Sequence, residues 1–205
     1  MYIKNYINTN FQKAMLTEKV SALVERFNSY VDVMIVLRED ETLYNCISVA
    51  EMDYIKSFDK ELKLMDILDP VESFLFENDM VEDALNLIQQ NRITVLPVVD
   101  YDLYPVGTVG IFEIIKAFKS VSGMDEPGTK ITVSLNERPG QLRTLLDIFT
   151  GKDINILSLL TSEVNNGKRS VTLKVGMKDV NAVSELLEAN SIEYDGIFEE
   201  DGGNY

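Results

Sequence analysis

Val20, Leu23, Val24 and Phe27 recur at i, i+3, i+4 and i+7, the spacing of one helical face. Sixty-one positions later the same spacing returns in Val81, Ala84, Leu85 and Ile88. Each set leads into an apolar run, Val31–Leu37 and Ile93–Val99, which reads as a buried strand. A second strand and a helix start follow in both places. Asn45-Cys46-Ile47-Ser48-Val49-Ala50-Glu51 aligns with Gly107-Thr108-Val109-Gly110-Ile111-Phe112-Glu113 at an offset of 62. The leading segments match as well, with Ile3, Tyr6 and Ile7 in the places of Leu64, Ile67 and Leu68. Two copies of one unit predict a pseudo-twofold pair whose halves share an interface and leave a crevice for a ligand.

Polar punctuation sharpens these elements. Thr17 is placed to cap the first helix, and Arg38-Glu39-Asp40-Glu41-Thr42 is a charged turn between strands. Asp79, with Glu82 three residues on, has the form of a capping box for a helix running to about Gln90. After the turn Asp100–Tyr104, a strand Val106–Val109 and a helix Ile111–Phe118 complete the second copy. Small, acidic and turn-forming residues at 121–129 read as a linker.

A new pattern then starts. Ile131, Val133 and Leu135 alternate as a half-buried strand. Leu142, Leu145, Leu146 and Phe149 mark a helix with Pro139 in its first turn and Gly151 at its end. Strands Ile154–Thr161 and Ser170–Val175 flank the turn Val164-Asn165-Asn166-Gly167. A helix Val180–Ala189 capped by Asp179 and a strand Ile192–Phe198 follow. The order β-α-β-β-α-β is the ferredoxin-like split βαβ arrangement. The expected fold is therefore mixed α/β (α+β), with units at 1–60, 61–120 and 130–198 and an acidic flexible tail at 199–205.

Charge and composition narrow the function. Nineteen basic and 34 acidic residues give a net charge of −15, of which residues 1–120 carry −9 and residues 121–205 carry −6. Acidity spread over the whole chain repels nucleic acid and anionic lipid. There is no histidine, which removes imidazole acid–base chemistry and His-ligated metals. Cys46, the single cysteine, lies in an apolar strand and reads as a core residue, not a nucleophile. No phosphate-cradling glycine cluster or nucleophile elbow occurs. These features predict a protein without catalytic residues, metal or cofactor. The opening residues lack the apolar stretch of a signal peptide, and with one cysteine the expected location is the reduced cytoplasm.

The two N-terminal copies resemble a tandem pair of CBS domains, a Bateman module. The second copy carries most of the likeness, in Met65-Asp66-Ile67-Leu68, Ala84-Leu85, Ile93-Thr94-Val95-Leu96-Pro97-Val98-Val99-Asp100 and Val106-Gly107-Thr108-Val109. Residues 130–198 resemble an ACT domain, through Asn136-Glu137-Arg138-Pro139-Gly140-Gln141-Leu142 and Asp153-Ile154-Asn155-Ile156. The combination is similar to the AcuB-type proteins linked to acetoin utilisation. The resemblance implies a non-catalytic, allosteric regulatory protein that forms homodimers through its CBS and ACT domains and acts on a partner enzyme. It implies an adenosine-containing ligand (AMP, ADP, ATP or S-adenosylmethionine) between the CBS repeats and an amino acid at the ACT domain.

In that family the ribose acceptor is the Asp of a Thr/Ser-x-x-Asp element. Here the matching elements are Ser48-Val49-Ala50-Glu51 and Gly110-Ile111-Phe112-Glu113, so a Glu stands in both and Gly110 removes one hydroxyl. The nucleotide-site candidates are Val31, Val33, Ser48, Glu51, Ile67, Arg92, Ile93, Val95, Pro97, Glu113 and Lys116. Arg92 and Lys116 supply positive charge. Glu51 and Glu113 have a second reading, as carboxylates complementing a helix start, and the valines and Ile93 a second reading as core. The amino-acid-site candidates are Asn136, Glu137, Arg138, Pro139, Gly140, Gln141, Leu142, Asn155 and Ile156. The plainer reading of that loop is a strand-to-helix turn. A rival functional reading is a degenerate CBS/ACT interaction module that oligomerises and docks on a partner enzyme without any small molecule.

Overall fold

A computed structural model describes residues 1–27 and 33–203. It divides into two compact units, Met1–Ala117 and Phe118–Tyr205. The first unit holds two three-stranded sheets built alike. β1 (Gln12–Met15) runs parallel to β2 (Val33–Leu37), and β2 pairs antiparallel with β3 (Leu43–Ser48). α1 (Val20–Arg26) and α2 (Val49–Ile55) cover this sheet. The second sheet repeats the plan, with β4 (Leu75–Phe76) parallel to β5 (Val95–Val99) and β5 antiparallel to β6 (Pro105–Gly110). Its helices are α3 (Val81–Asn91) and α4 (Ile111–Val121).

The apolar runs are explained by burial on two faces. From β2, Met34 and Val36 enter the core beneath α1 and α2, while Val33, Ile35 and Leu37 face the other sheet. From β5, Leu96 and Val98 face α3 and α4, whereas Val95 and Val99 join the shared interface. A strand sandwiched in this way has no polar face.

The leading segments exchange places between the copies. Ile3, in a 3₁₀ turn (Ile3–Asn5), is fully buried among Leu75, Val81, Leu96 and Val109 of the second copy. Leu64, in the matching turn Leu64–Asp66, is buried among Ala14, Val20, Leu23 and Met52 of the first. Main-chain pairing follows the same symmetry. The Ile3 N–H donates to Asp79 O at 2.8 Å and Lys4 to Glu77 at 3.1 Å, while Leu64 donates to Glu18 at 2.9 Å and Met65 to Leu16 at 3.0 Å. The expected division at residue 60 is thus revised, because each core is completed by chain from the other side of that boundary.

Capping also differs from the sequence reading. Helix α1 begins after Lys19 without a side-chain cap, so Thr17 has no capping role. For α3 the capping carboxylate is Asp83, which accepts the Met80 N–H at 3.1 Å. Asp79 instead accepts the Phe76 N–H at 2.8 Å, as Glu18 accepts Met15 at 2.7 Å in the first copy. These two acids close the turns ahead of the helices.

The second unit is one antiparallel sheet of order β10-β7-β9-β8, formed by β7 (Gly128–Asn136), β8 (Ile156–Asn165), β9 (Lys168–Val175) and β10 (Gly196–Glu200). With α5 (Gln141–Thr150) and α6 (Val180–Ala189) on one face, this is the ferredoxin-like arrangement. Asp179 caps α6, accepting the Ala182 N–H at 3.1 Å. Pro139 lies before the helix, which starts after Gly140 at φ +90°. The expected linker is shortened at both ends, by α4 through Val121 and β7 from Gly128. The expected tail loses Glu199 and Glu200 to β10, where Glu200 accepts hydrogen bonds from Lys130 and Lys174, each at 2.7 Å.

Candidate functional site

Between the two copies of the first unit lies a groove of about 470 Å³. The β3–α2 junction supplies Asn45, Cys46, Ser48 and Glu51; the segment leading to β4 supplies Asp69–Ser73; and the α3–β5 turn supplies Asn91–Val95 with Pro97. Of the sequence candidates it gathers Ser48, Glu51, Arg92, Ile93, Val95 and Pro97. Val33 lies instead in the apolar interface between the sheets, and Ile67 packs on the core of the first copy. Glu113 and Lys116 sit on α4 and are not among the lining residues, and Val31 lies outside the described residues. Sequence reasoning missed Asn45 and the Asp69–Ser73 wall. The Asn45/Gly107 mismatch was the available signal.

That mismatch gives the two sides of the pair different geometry. At Gly107 a Cβ would lie 2.1 Å from Ile7 Cγ2 and 2.7 Å from the Asn8 carbonyl oxygen. Glycine therefore lets Asn8 pair directly with Thr108, N–H to O at 2.9 Å both ways. At the equivalent place Asn45 reaches out with its side chain, Nδ2 donating to Asp69 O at 2.7 Å. The Asp69 carbonyl is thus met by a side-chain donor, while close by the Val71 N–H donates directly to Tyr44 O of β3 at 2.7 Å.

Inside the groove Ser48 and Glu51 engage each other. Oε2 of Glu51 accepts both the Ser48 N–H and its hydroxyl, each at 2.8 Å, which caps α2. Glu113 plays the equivalent part on α4, accepting the Gly110 N–H at 2.9 Å. The helix-start reading of both glutamates is therefore realised. Glu51 Oε1 makes no hydrogen bond among the described residues. Arg92 ends α3 in the left-handed conformation, φ +54°, which turns the chain sharply into the groove wall.

Cys46 is 8% exposed, and burial, with the Glu51 charge adding to it, pushes its thiol from 9.0 up to about 12. At pH 8 the folded protein should resist iodoacetamide and the urea-unfolded chain should react, as mass spectrometry would show. The same shift carries a stability term. A proton held more tightly in the folded state stabilises it fully below pH 9.0 and less as pH rises toward about 12. The slope is about 1.4 kcal/mol per pH unit.

The second unit has its own concavity, about 500 Å³, lined by residues 135–142 with Thr161, Arg169 and Val171. It brings together Asn136, Glu137, Arg138, Pro139, Gly140, Gln141 and Leu142 as the sequence grouped them. Asn155 and Ile156 are not part of it. Ile156 pairs with Val175, whereas the concavity adjoins the Arg169 end of β9, six residues away and so about 20 Å distant at strand rise. Arg169 was missed. It holds Glu137 in a two-pronged pair, Nε to Oε2 at 2.8 Å and Nη2 to Oε1 at 3.1 Å, and donates to Ser162 O at 2.9 Å. Hydrogen bonding from Arg169 holds the Glu137 carboxyl below its usual range. Among the described residues no cluster of three or more acidic, Cys or His side chains is arranged for a metal, and no helix is long and apolar enough to cross a membrane.

Comparison with known proteins gives the class. The family description "CBS domain" matches residues 65–120. No curated protein matches the sequence. A CBS domain pair/ACT domain protein from Thermotoga maritima is 19% identical with a TM-score of 0.50, over 58% of this chain and 96% of that one. A CBS domain pair solved in complex with 5′-methylthioadenosine and S-adenosyl-L-methionine is 16% identical, TM-score 0.50, over 58% and 95%. The soluble part of a magnesium transporter is 19% identical, TM-score 0.50, over 58% of this chain and 47% of that chain, about half its length. The molecule is a mixed α/β protein in which 58% of the chain matches the fold of CBS domain pairs, and residues 65–120 carry the CBS-domain sequence pattern.

Proposed function

We propose that this chain is a non-catalytic, ligand-sensing regulatory protein whose first unit binds an adenosine-containing ligand in the groove between its CBS-type copies. The observation that carries the reading is the groove itself, built from both copies. A ligand there touches β3–α2 of one copy and α3–β5 of the other, so it favours whichever arrangement of the two fits it best. Ile93, Val95 and Pro97 offer an apolar slot for a base, and Oε1 of Glu51, which accepts no hydrogen bond among the described residues, an acceptor for ribose hydroxyls. The solved pair containing methylthioadenosine and S-adenosylmethionine supports this ligand class by likeness of fold. The second unit, in this reading an ACT-type domain, pairs with that of a second chain, binds an amino acid in its concavity and relays the signal to a partner.

The test is a thermal-shift and calorimetry panel of adenosine, AMP, ADP, ATP, S-adenosylmethionine and the amino acids. A ligand at 100 times its dissociation constant stabilises by about 2.7 kcal/mol, several degrees for a unit of this size. Glu51→Ala should weaken adenosine binding about tenfold, the scale of one lost hydrogen bond to a charged acceptor, and Glu113→Ala should leave it unchanged. A flat panel with folded protein supports the second reading, a docking module with degenerate sites, which the mutual capping of Ser48 and Glu51 favours.

A further inference from the structure

The charges around the groove select among adenosyl compounds. Three carboxylates line it, Glu51, Asp69 and Glu72, against one cation among the described lining residues, Arg92. Asp69 and Glu72 are exposed on the wall formed by the segment leading to β4. Their carboxylates accept no hydrogen bond among the described residues, so their charge is not offset locally.

Several of the donors that a phosphate group could use are already engaged. The N–H and hydroxyl of Ser48, at the start of α2, both point to Glu51. An anion arriving there meets a carboxylate where amide hydrogens would otherwise be free. Asn45 Nδ2 is committed to Asp69 O at 2.7 Å, and Asn91 Nδ2 to the Ser73 hydroxyl at 2.9 Å. The wider field has the same sign, since the chain carries −15.

We infer that the groove takes an adenosyl ligand of neutral or positive net charge, a free nucleoside or an adenosyl sulfonium, and discriminates against nucleoside polyphosphates. The inference rests on the adenosine-site reading above and adds the charge of the ligand to it. A sulfonium or ammonium group would sit against Asp69 and Glu72, while a triphosphate would bring its charges into a wall of the same sign.

Calorimetric titration of the full chain with adenosine, S-adenosylmethionine, AMP and ATP, without divalent cations, tests this. The expected order is S-adenosylmethionine or adenosine tightest and ATP weakest, by at least tenfold at 50 mM salt. Raising salt to 500 mM should weaken S-adenosylmethionine and strengthen ATP, because screening removes attraction in one case and repulsion in the other. The double variant Asp69→Asn/Glu72→Gln should bind ATP at least fivefold more tightly and adenosine within twofold of the unaltered chain. ATP binding as tight as adenosine, or salt trends of the opposite sign, overturns the charge selection and leaves the adenosine site standing. Failure of every adenosyl compound, with circular dichroism showing folded protein, overturns both.

Discussion

Replacing Glu200 with Gln should destabilise the second unit by about 1.5–3 kcal/mol, the scale of a charged hydrogen bond taken from a buried ammonium by a partly exposed partner. The stranded group is Lys174, 1% exposed, whose ammonium donates to Glu200 at 2.7 Å and to Gly123 O at 2.9 Å. Gln keeps the shape but removes the charge that makes a buried ammonium tolerable. Lys174→Met in the Glu200→Gln background should recover most of the loss, since an apolar side chain of similar length does not need the partner. Urea unfolding followed by circular dichroism reads both variants, and a loss below 1 kcal/mol for Glu200→Gln would refute the buried-pair account. The acid limb gives a second check. Hydrogen bonds from Lys130 and then Lys174 hold the Glu200 carboxyl below its ordinary value of 4.5. Its contribution is complete above that value and fades as pH falls through the lower folded one. Acid sensitivity should therefore be shallower in the Gln variant.

The second large effect concerns the exchanged segments. Ile3→Ala should cost about 2–5 kcal/mol, the range for emptying a buried aliphatic site, although Ile3 stands more than seventy positions before Leu75, Val81, Leu96 and Val109. Leu64→Ala should cost a similar amount through the opposite core, with Ala14, Val20, Leu23 and Met52. Because each copy completes the other, both variants should lower one shared urea transition of the first unit. Two separated transitions, one per copy, would contradict the interlocked arrangement.

The repeat, the helix faces and the strand runs were legible because burial has a period, and that period is written in the chain. Ile3 and Leu64 read as buried for the same reason. Which core received them was not legible, because an apolar pattern states that a residue is inside without naming the neighbour. Capping was misassigned where acids crowd together. Asp79, Glu82 and Asp83 all stand near the start of α3, and only the main-chain path decides that Asp83 caps the helix while Asp79 closes the turn before it. The groove was half legible. Ser48, Glu51 and the Arg92–Pro97 stretch fall on matched repeat positions, but the Asp69–Ser73 wall carries no motif. Arg169 escaped because strand pairing, not sequence proximity, sets it beside Glu137. The acidic composition of Glu199 and Glu200 suggested solvent, yet Lys130 and Lys174, directly opposite on paired strands, had the charges to draw Glu200 into the sheet.

The swap of lead-in segments also sets an order of events during synthesis. Residues near Ile3 leave the ribosome long before Asp79 and Thr108, the groups that Ile3 and Asn8 bind, have been made. The first copy can close as soon as Leu64 emerges, while the earliest stretch of chain waits, unpaired, for the second copy to arrive. A nascent chain halted near residue 70 should thus present its opening segment to proteases, and one halted well past Thr108 should hide it.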